Sequence, residues 1–205
     1  LAQQLGSDIV LPCDVSDMDS VDALFASLKE RWDNIDFIVH AISFSDKDQL
    51  RGRYADTTRD NFAMTMDISV YSFTAVAQRA AAMMKDGGAM LTLTYYGAER
   101  VMPHYNVMGV AKAAFESTNR YLARDLGPLG IRSNLVSAGP IATTAAKSIP
   151  DFEQFAKWGE HSPLGWDVKD PVPAAQACVA LLSDWFPATT GEIVHVDGGF
   201  HSTGV

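Results

Sequence analysis

Apolar residues in this chain come in short continuous runs, separated by longer segments in which they recur every three or four positions. The runs Ile9–Val15, Ile35–His40, Ala89–Thr94, Ile131–Ser137 and Glu192–Val196 predict buried strands, because a strand covered on both faces reads as an unbroken apolar stretch. Between the first two, Ser16, Asp17 and Asp19 open a helix to about Arg31 with Val21, Leu24, Phe25 and Leu28 on one face. A loop at Ala41-Ile42-Ser43-Phe44-Ser45 and a polar segment from Asp46 to Thr58 precede a long helix from about Asp60 to Lys85, ended by Gly87-Gly88. A helix bearing Tyr105 and Lys112 runs to about Leu126 and stops at Gly127-Pro128. Two short helical pieces follow between Thr143 and about Glu160, with Pro150 between them, and a last helix spans about Pro173 to Ser183.

Strands alternating with helices imply an α/β fold, a doubly wound parallel sheet with helices on both faces. With no internal repeat or linker, residues 1–205 are expected to form a single domain. Ligands of such sheets bind at the carboxyl ends of the strands. Those ends here are Asp14-Val15, Ala41 to Ser45, Thr94 to Gly97 and Ala138 to Thr143.

Composition narrows the field of partners. A net charge of −9 over 205 residues argues against nucleic acid or an anionic membrane surface. No apolar run approaches the roughly 20 residues that span a bilayer, and the acidic balance suits a soluble protein handling small molecules. Cys13 and Cys178, far apart in apolar surroundings, are expected to be buried free thiols. The five histidines lack metal-ligand spacing, and no metal site is expected. Met64, Met66, Met83 and Met84 read as core filler, and Trp158, Trp166 and Trp185 as packed or at a subunit contact. Leu1 to Gly6 reads as the last turns of a helix capped by glycine, so the chain is expected to continue upstream.

The candidate chemistry lies in Tyr105-Asn106-Val107-Met108-Gly109-Val110-Ala111-Lys112. Seven residues on a helix return to almost the same face, so a phenol and an ammonium can enter one cleft and stabilise negative charge developing on a substrate oxygen. The spacing alone is weak, since an amphipathic helix with a half-buried Tyr and an exposed Lys would look the same.

Its context is more specific. The passage Tyr95-x-Gly-Ala-Glu-Arg-x-x-Pro-x-Tyr105-Asn-Val-Met-Gly-x-Ala-Lys112, with Asp67-Ile68-Ser69, Ser137-Ala138-Gly139-Pro140-Ile141 and Val196-Asp197-Gly198-Gly199, resembles the enoyl-acyl-carrier-protein reductases of the short-chain dehydrogenase/reductase superfamily. The likeness runs the length of the chain. It implies a Rossmann-like fold and NADH-dependent reduction of an enoyl thioester on acyl carrier protein in fatty-acid elongation, by a cytoplasmic homotetramer, with NADPH an alternative reductant. It also implies roles. Tyr105 would hydrogen-bond the thioester oxygen, Lys112 would hold the nicotinamide ribose and make Tyr105 more acidic, and Tyr95 would line the pocket. Strand alternation would then leave Tyr96 packed or at the surface. Asp14 and Val15 match adenine contacts, Ile42 a cofactor contact, and Ile141, Thr143 and Ala145 the nicotinamide side. Ser45 matches a substrate contact, while Met108, Ala145, Ile149 and Phe152 match the wall and flap over the acyl chain, positions for which core packing accounts equally well.

The chain departs from the family pattern in two places. Many relatives have Ser at Ala41 and Gly at Ser43, where a glycine lets the backbone approach the cofactor closely. The glycine-rich phosphate loop and the strand end that selects the cofactor have no counterpart here, so a fragment lacking on the order of 50 residues, about one βαβ unit, is expected. Two alternatives stay open: a carbonyl-reducing short-chain dehydrogenase or 3-ketoacyl reductase, and a non-catalytic remnant.

Overall fold

The sheet is built from four strands, β1 (Phe37–His40), β2 (Gly88–Thr94), β3 (Ile131–Ala138) and β4 (Ile193–Val196), all parallel and in the order β1-β2-β3-β4. A computed structural model describes residues 2–149 and 157–203 of the chain. The helices are α1 (Met18–Lys29), α2 (Arg59–Met66), α3 (Ser72–Ala81), α4 (Asn106–Leu126), α5 (Trp158–His161) and α6 (Val172–Leu182).

Alternation along the strands sorts side chains to two faces. Met90 and Leu135 join Phe73, Phe115, Val21 and Phe25 in the larger core, under α1, α3 and α4. Their neighbours Leu91 and Val136 point the other way, onto Leu181, Ala177 and Cys178 of α6. Continuous apolar runs therefore arise because both faces are covered, and the doubly wound reading holds.

One predicted strand is missing. Ile9–Val15 has no sheet partner among the described residues, and Val10 is 71 % exposed. Extended backbone becomes a strand only when a neighbour takes its hydrogen bonds. The outer edge of β1 is likewise unpaired there, leaving Phe37 55 % and Val39 46 % exposed. Cys13 is exposed for the same reason, contrary to expectation, and Cys178 is half-buried; both are free thiols.

The long helix is also modified. A π-helical turn at Asp67–Tyr71 separates α2 from α3, and α3 ends at Ala81, where Lys85 was expected. Ser69 in that turn accepts a hydrogen bond from the Phe44 amide at 2.9 Å and donates to the Phe44 carbonyl at 3.0 Å, clamping the loop after β1. Between Thr143 and Glu160 the described helical pieces are a 3-10 turn at Ala146–Ser148 and the start of α5.

Candidate active site

Because the sheet is parallel, the carboxyl ends of β1, β2 and β3 open on one edge. The segment after β2 carries Tyr95 and Tyr96, and α4 returns beneath it. Its inward stripe holds Val107, Met108, Ala111, Lys112, Phe115, Glu116, Asn119 and Ala123. Two ionisable groups inside an apolar stripe are the anomaly of this helix.

Tyr105 is the residue that caps α4, one place outside it, and is buried. It sits between two left-handed residues, His104 at φ 59° and Asn106 at φ 38°. Non-glycine residues reach that region only when their surroundings hold them there. Asn106 supplies the hold: its Nδ2 donates to the carbonyls of Leu50 at 3.1 Å and of Gln49 and Gly52 at 3.4 Å. The helical-face argument for Tyr105 and Lys112 therefore needs correction, since a left-handed turn intervenes between the phenol and the helix that bears the lysine.

The Tyr105 ring lies directly on backbone. A Cβ on Gly97 would meet its Cδ1 at 2.5 Å, and one on Gly109 would meet the Gly97 carbonyl at 2.7 Å. These two glycines build the seat of Tyr105, and the signal for them was their place inside the quoted motif. Tyr95 meets Tyr105 edge-on, ring centroids 5.0 Å apart, and lies 5.9 Å from the Trp158 ring. Tyr96 is packed against Trp158 and Phe200, as the alternation argument expects. Met108 and Ile149 share one apolar cluster with Tyr105, Tyr95 and Leu50. An opening of about 430 Å³ lined by Tyr54, Gly97, Met102, Tyr105, Asn106 and Gly109 adjoins it.

Lys112 is 8 % exposed and donates from Nζ to the Leu93 carbonyl at 2.8 Å, with the Phe115 ring centroid 5.0 Å away. Burial lowers its pKa to about 8, partly opposed by the charge of Glu116. Burial, then the Glu116 charge, pushes the Tyr105 hydroxyl well above its ordinary value. Tyr95 is raised by burial and by Tyr105. The expected acidification of Tyr105 by Lys112 is not borne out: burial and the Glu116 charge act on the phenol and both raise it, so both phenols keep their protons at neutral pH.

The remaining predicted residues are distributed around this centre. Ser45 donates to Asn61 Oδ1 at 3.3 Å and accepts from Thr65 Oγ1 at 2.9 Å. Ile42 is exposed in the loop clamped by Ser69. Ile141 and Thr143 follow β3, where the Thr143 amide closes on the Ile141 carbonyl at 2.7 Å, and Ala145 is exposed just beyond. Val15 is buried beside the exposed Asp14, whose carboxylate accepts from the Ser16 amide at 2.9 Å and hydroxyl at 2.7 Å and is thereby held more acidic than usual. Phe152 lies outside the described residues.

Two buried polar residues went unassigned in the sequence. His40 Nε2 lies 2.9 Å from Ser72 Oγ, which itself donates to the Ile68 carbonyl, so His40 carries its proton on Nε2. Burial, with Lys112 adding to it, lowers His40 to about 4. Glu116 accepts from Thr94 Oγ1 at 2.7 Å. Its only sequence signal was an acid on an apolar helix face. Among the described residues no cluster of His, Cys, Asp and Glu is placed to hold a metal.

The chemistry suits a nicotinamide cofactor. Lys112 has three N–H donors and uses one on Leu93, which leaves donors for ribose hydroxyls beside a neutral phenol. Comparison with known proteins gives the family. Residues 1–201 match the family model described as Enoyl-(Acyl carrier protein) reductase. An enoyl-[acyl-carrier-protein] reductase [NADH] of Rhizobium meliloti is 59 % identical over 206 residues, spanning 100 % of this chain and 75 % of that protein. The crystal structure of the Anaplasma phagocytophilum reductase in complex with NAD superposes with a TM-score of 0.93 at 49 % identity, covering 100 % of this chain and 76 % of the other. The Bacillus cereus enoyl-acyl carrier protein reductase, solved with NADP+ and an indole naphthyridinone, gives 0.93 at 44 % identity, covering 97 % and 77 %. The chain belongs to the enoyl-acyl-carrier-protein reductase family.

Proposed function

We propose that the protein carrying this chain reduces the trans-2 double bond of an enoyl thioester on acyl carrier protein, with NADH as reductant, during fatty-acid elongation. The observation that carries this reading is the seat of Tyr105: a neutral, buried phenol wedged on Gly97, edge-on to Tyr95, at the cap of the helix that brings in Lys112. The hydride that C3 of the enoyl chain accepts would come from NADH bound at this edge of the sheet. Negative charge then develops on the thioester oxygen, and the Tyr105 hydroxyl donates a hydrogen bond to it, a contact strengthened by exclusion of water. Lys112 Nζ binds the ribose hydroxyls with the donors that Leu93 leaves over. Ile141, Thr143 and Ala145 flank the nicotinamide, Ile42, Asp14 and Val15 the rest of the cofactor, and Ser45, Tyr95, Met108, Ile149 and Phe152 the acyl chain.

Reduction of a ketone is disfavoured by Thr92, which sits near where ordinary carbonyl-reducing short-chain dehydrogenases carry a catalytic serine. It is buried and donates to the His40 carbonyl at 2.6 Å. Crotonyl and acetoacetyl thioesters separate the readings. Turnover of the enoyl substrate is expected, and turnover of the ketone alone would overturn the proposal. Comparing KM for NADH and NADPH decides the cofactor.

A homotetramer in the cytoplasm, with neither nucleic acid nor membrane as partner, fits the same reading. Val110 and Tyr121 on the outer face of α4 are exposed apolar surface that a second copy would cover. The net charge of −9 disfavours polyanionic partners, and no described helix is long and apolar enough to cross a membrane.

A further inference from the structure

The reduction proposed above consumes one proton from water per double bond. C3 gains a hydride, with its electron pair, from the cofactor, and C2 gains a proton by way of the enol: the Tyr105 O–H gives its proton to the enolate oxygen, Lys112 Nζ gives one to the phenolate, and the neutral amine left at Lys112 must be resupplied. The inward stripe of α4 carries one further ionisable group. Glu116 lies one helical turn beyond Lys112, on the same face, and is 7 % exposed. Consecutive residues of β2 hold the two: the Leu93 carbonyl accepts from Lys112 Nζ at 2.8 Å, and Thr94 Oγ1 donates to Glu116 Oε1 at 2.7 Å.

From Thr94 a row runs outward across the sheet, through Ser137 of β3 to His195 of β4, residues paired in register. His195 Nε2 lies 2.6 Å from Glu99 Oε1, and both side chains reach solvent, 19 % and 33 % exposed. The His195 ring stacks on His201 with centroids 3.9 Å apart, and His201 Nδ1 is held by buried Asp197 at 3.0 Å. The groups whose charges act on Glu116 are Glu99 from the turn after β2, Arg120 from α4 and His195 from β4. Glu116 in turn acts on Lys112 and Tyr105.

We propose that Glu116 returns a proton to Lys112 after each reduction, drawing it from water at the His195–Glu99 pair, as a positioning residue that acts through Lys112. This rests on the enoyl-reductase reading above. The step breaks the O–H bond of the Glu116 carboxylic acid and forms an N–H bond at Lys112 Nζ. The carboxylate left behind takes up, beside His195, the one solvent proton (a hydronium O–H bond breaks and water is released) that the overall reduction consumes, and no electrons move. Burial, which raises Glu116 above the ordinary carboxyl range, makes it hold a proton more readily in that position.

The test uses the full-length protein with crotonyl thioester and NADH. Glu116→Gln preserves the acceptor for the Thr94 hydroxyl and removes the titrating proton. NADH binding, followed by fluorescence titration, should be unchanged, while kcat falls about tenfold or more and its solvent deuterium isotope effect rises. The loss should deepen toward alkaline pH, Glu116→Asp should recover part of the rate, and His195→Gln should show a milder form of the same alkaline loss. Wild-type kcat, pH profile and isotope effect in Glu116→Gln would overturn the relay. So would a parallel loss of NADH binding and turnover in both the Gln and Asp variants, which would make Glu116 a brace for α4. If Glu116→Gln does not fold, an alkaline limb identical to the wild type's in both Glu116→Asp and His195→Gln overturns it equally. Failure of the wild-type protein to reduce the enoyl thioester overturns the function reading itself, and the relay with it.

Discussion

Two aromatic clusters lie within reach of α4, and they handle buried polarity in opposite ways. In the core, His40 packs against Phe73 and Phe115 with ring centroids at 5.3 and 5.7 Å. Its Nε2 proton goes to Ser72, and burial keeps the ring neutral. That cluster is closed: its polar atoms bond one another and carry no charge. At the strand ends, Tyr95 and Tyr105 meet edge-on above a buried ammonium and a buried carboxyl, on backbone held in a left-handed turn. That cluster is held together by contacts that constrain it without neutralising it. Burial stabilises a fold when polar groups are satisfied, and prepares a site when charge and strain are kept in place by surrounding structure.

The contrast can be broken from either side. The largest effect is expected in the core. Phe73→Ala, at a fully buried position that the Phe115 ring separates from Lys112, should cost about 3–5 kcal/mol in stability. Denaturant unfolding measures it, and kcat at a temperature where the variant remains folded should be near normal. Tyr105→Phe should do the reverse. It keeps the ring on Gly97, so the melting temperature and NADH affinity should hold while turnover drops about a hundredfold, on the order of 2.7 kcal/mol in the transition state. Equal loss of binding and turnover would remove the hydroxyl from the role assigned to it.

Asn106 sharpens the comparison at the backbone. Asn106→Ala keeps a Cβ at positive φ and loses three carbonyl contacts, so about 1–2 kcal/mol and part of the turnover should be lost. Asn106→Gly should retain more of both, because glycine tolerates the conformation. Equal variants would mean that the left-handed turn carries none of the effect.

The smallest effects are in pH dependence. His40 has its folded value near 4, below its ordinary 6.5, so the unfolded chain binds the extra proton between those values and stability falls as pH drops from 6.5 to 4. Lys112, near 8 against 10.5, gives stability that rises with pH from about 8 upward, until above about 10 the raised tyrosines oppose it because they ionise only on unfolding. Turnover should move the other way, declining above about pH 8 as Lys112 loses the charge that holds the ribose. Parallel alkaline changes in stability and turnover would contradict the assignment of Lys112 to the site.

Much of this was legible in the residues. The apolar runs of β2 and β3 and the amphipathic helices are local patterns, and both faces of the sheet were recoverable because alternate side chains must be buried on opposite sides. The motif from Tyr95 to Lys112 identified the family, since residue types at fixed spacing survive without knowledge of contacts. Ile9–Val15 has the same apolar character as β2 yet is no strand, because pairing depends on a neighbour and not on the run itself. The sequence likewise placed Tyr105 inside α4, and only the contacts of Asn106 with Gln49, Leu50 and Gly52, more than fifty residues away along the chain, put a left-handed turn there. Glu116 looked like any acid on a helix; its burial, its bond to Thr94 and its line to His195 come from packing α4 beneath the sheet. Residue types and spacing determined which chemistry this chain can perform. The tertiary structure decided which groups are buried, which keep their protons and which face one another, because desolvation and long-range contact exist only once the chain is packed.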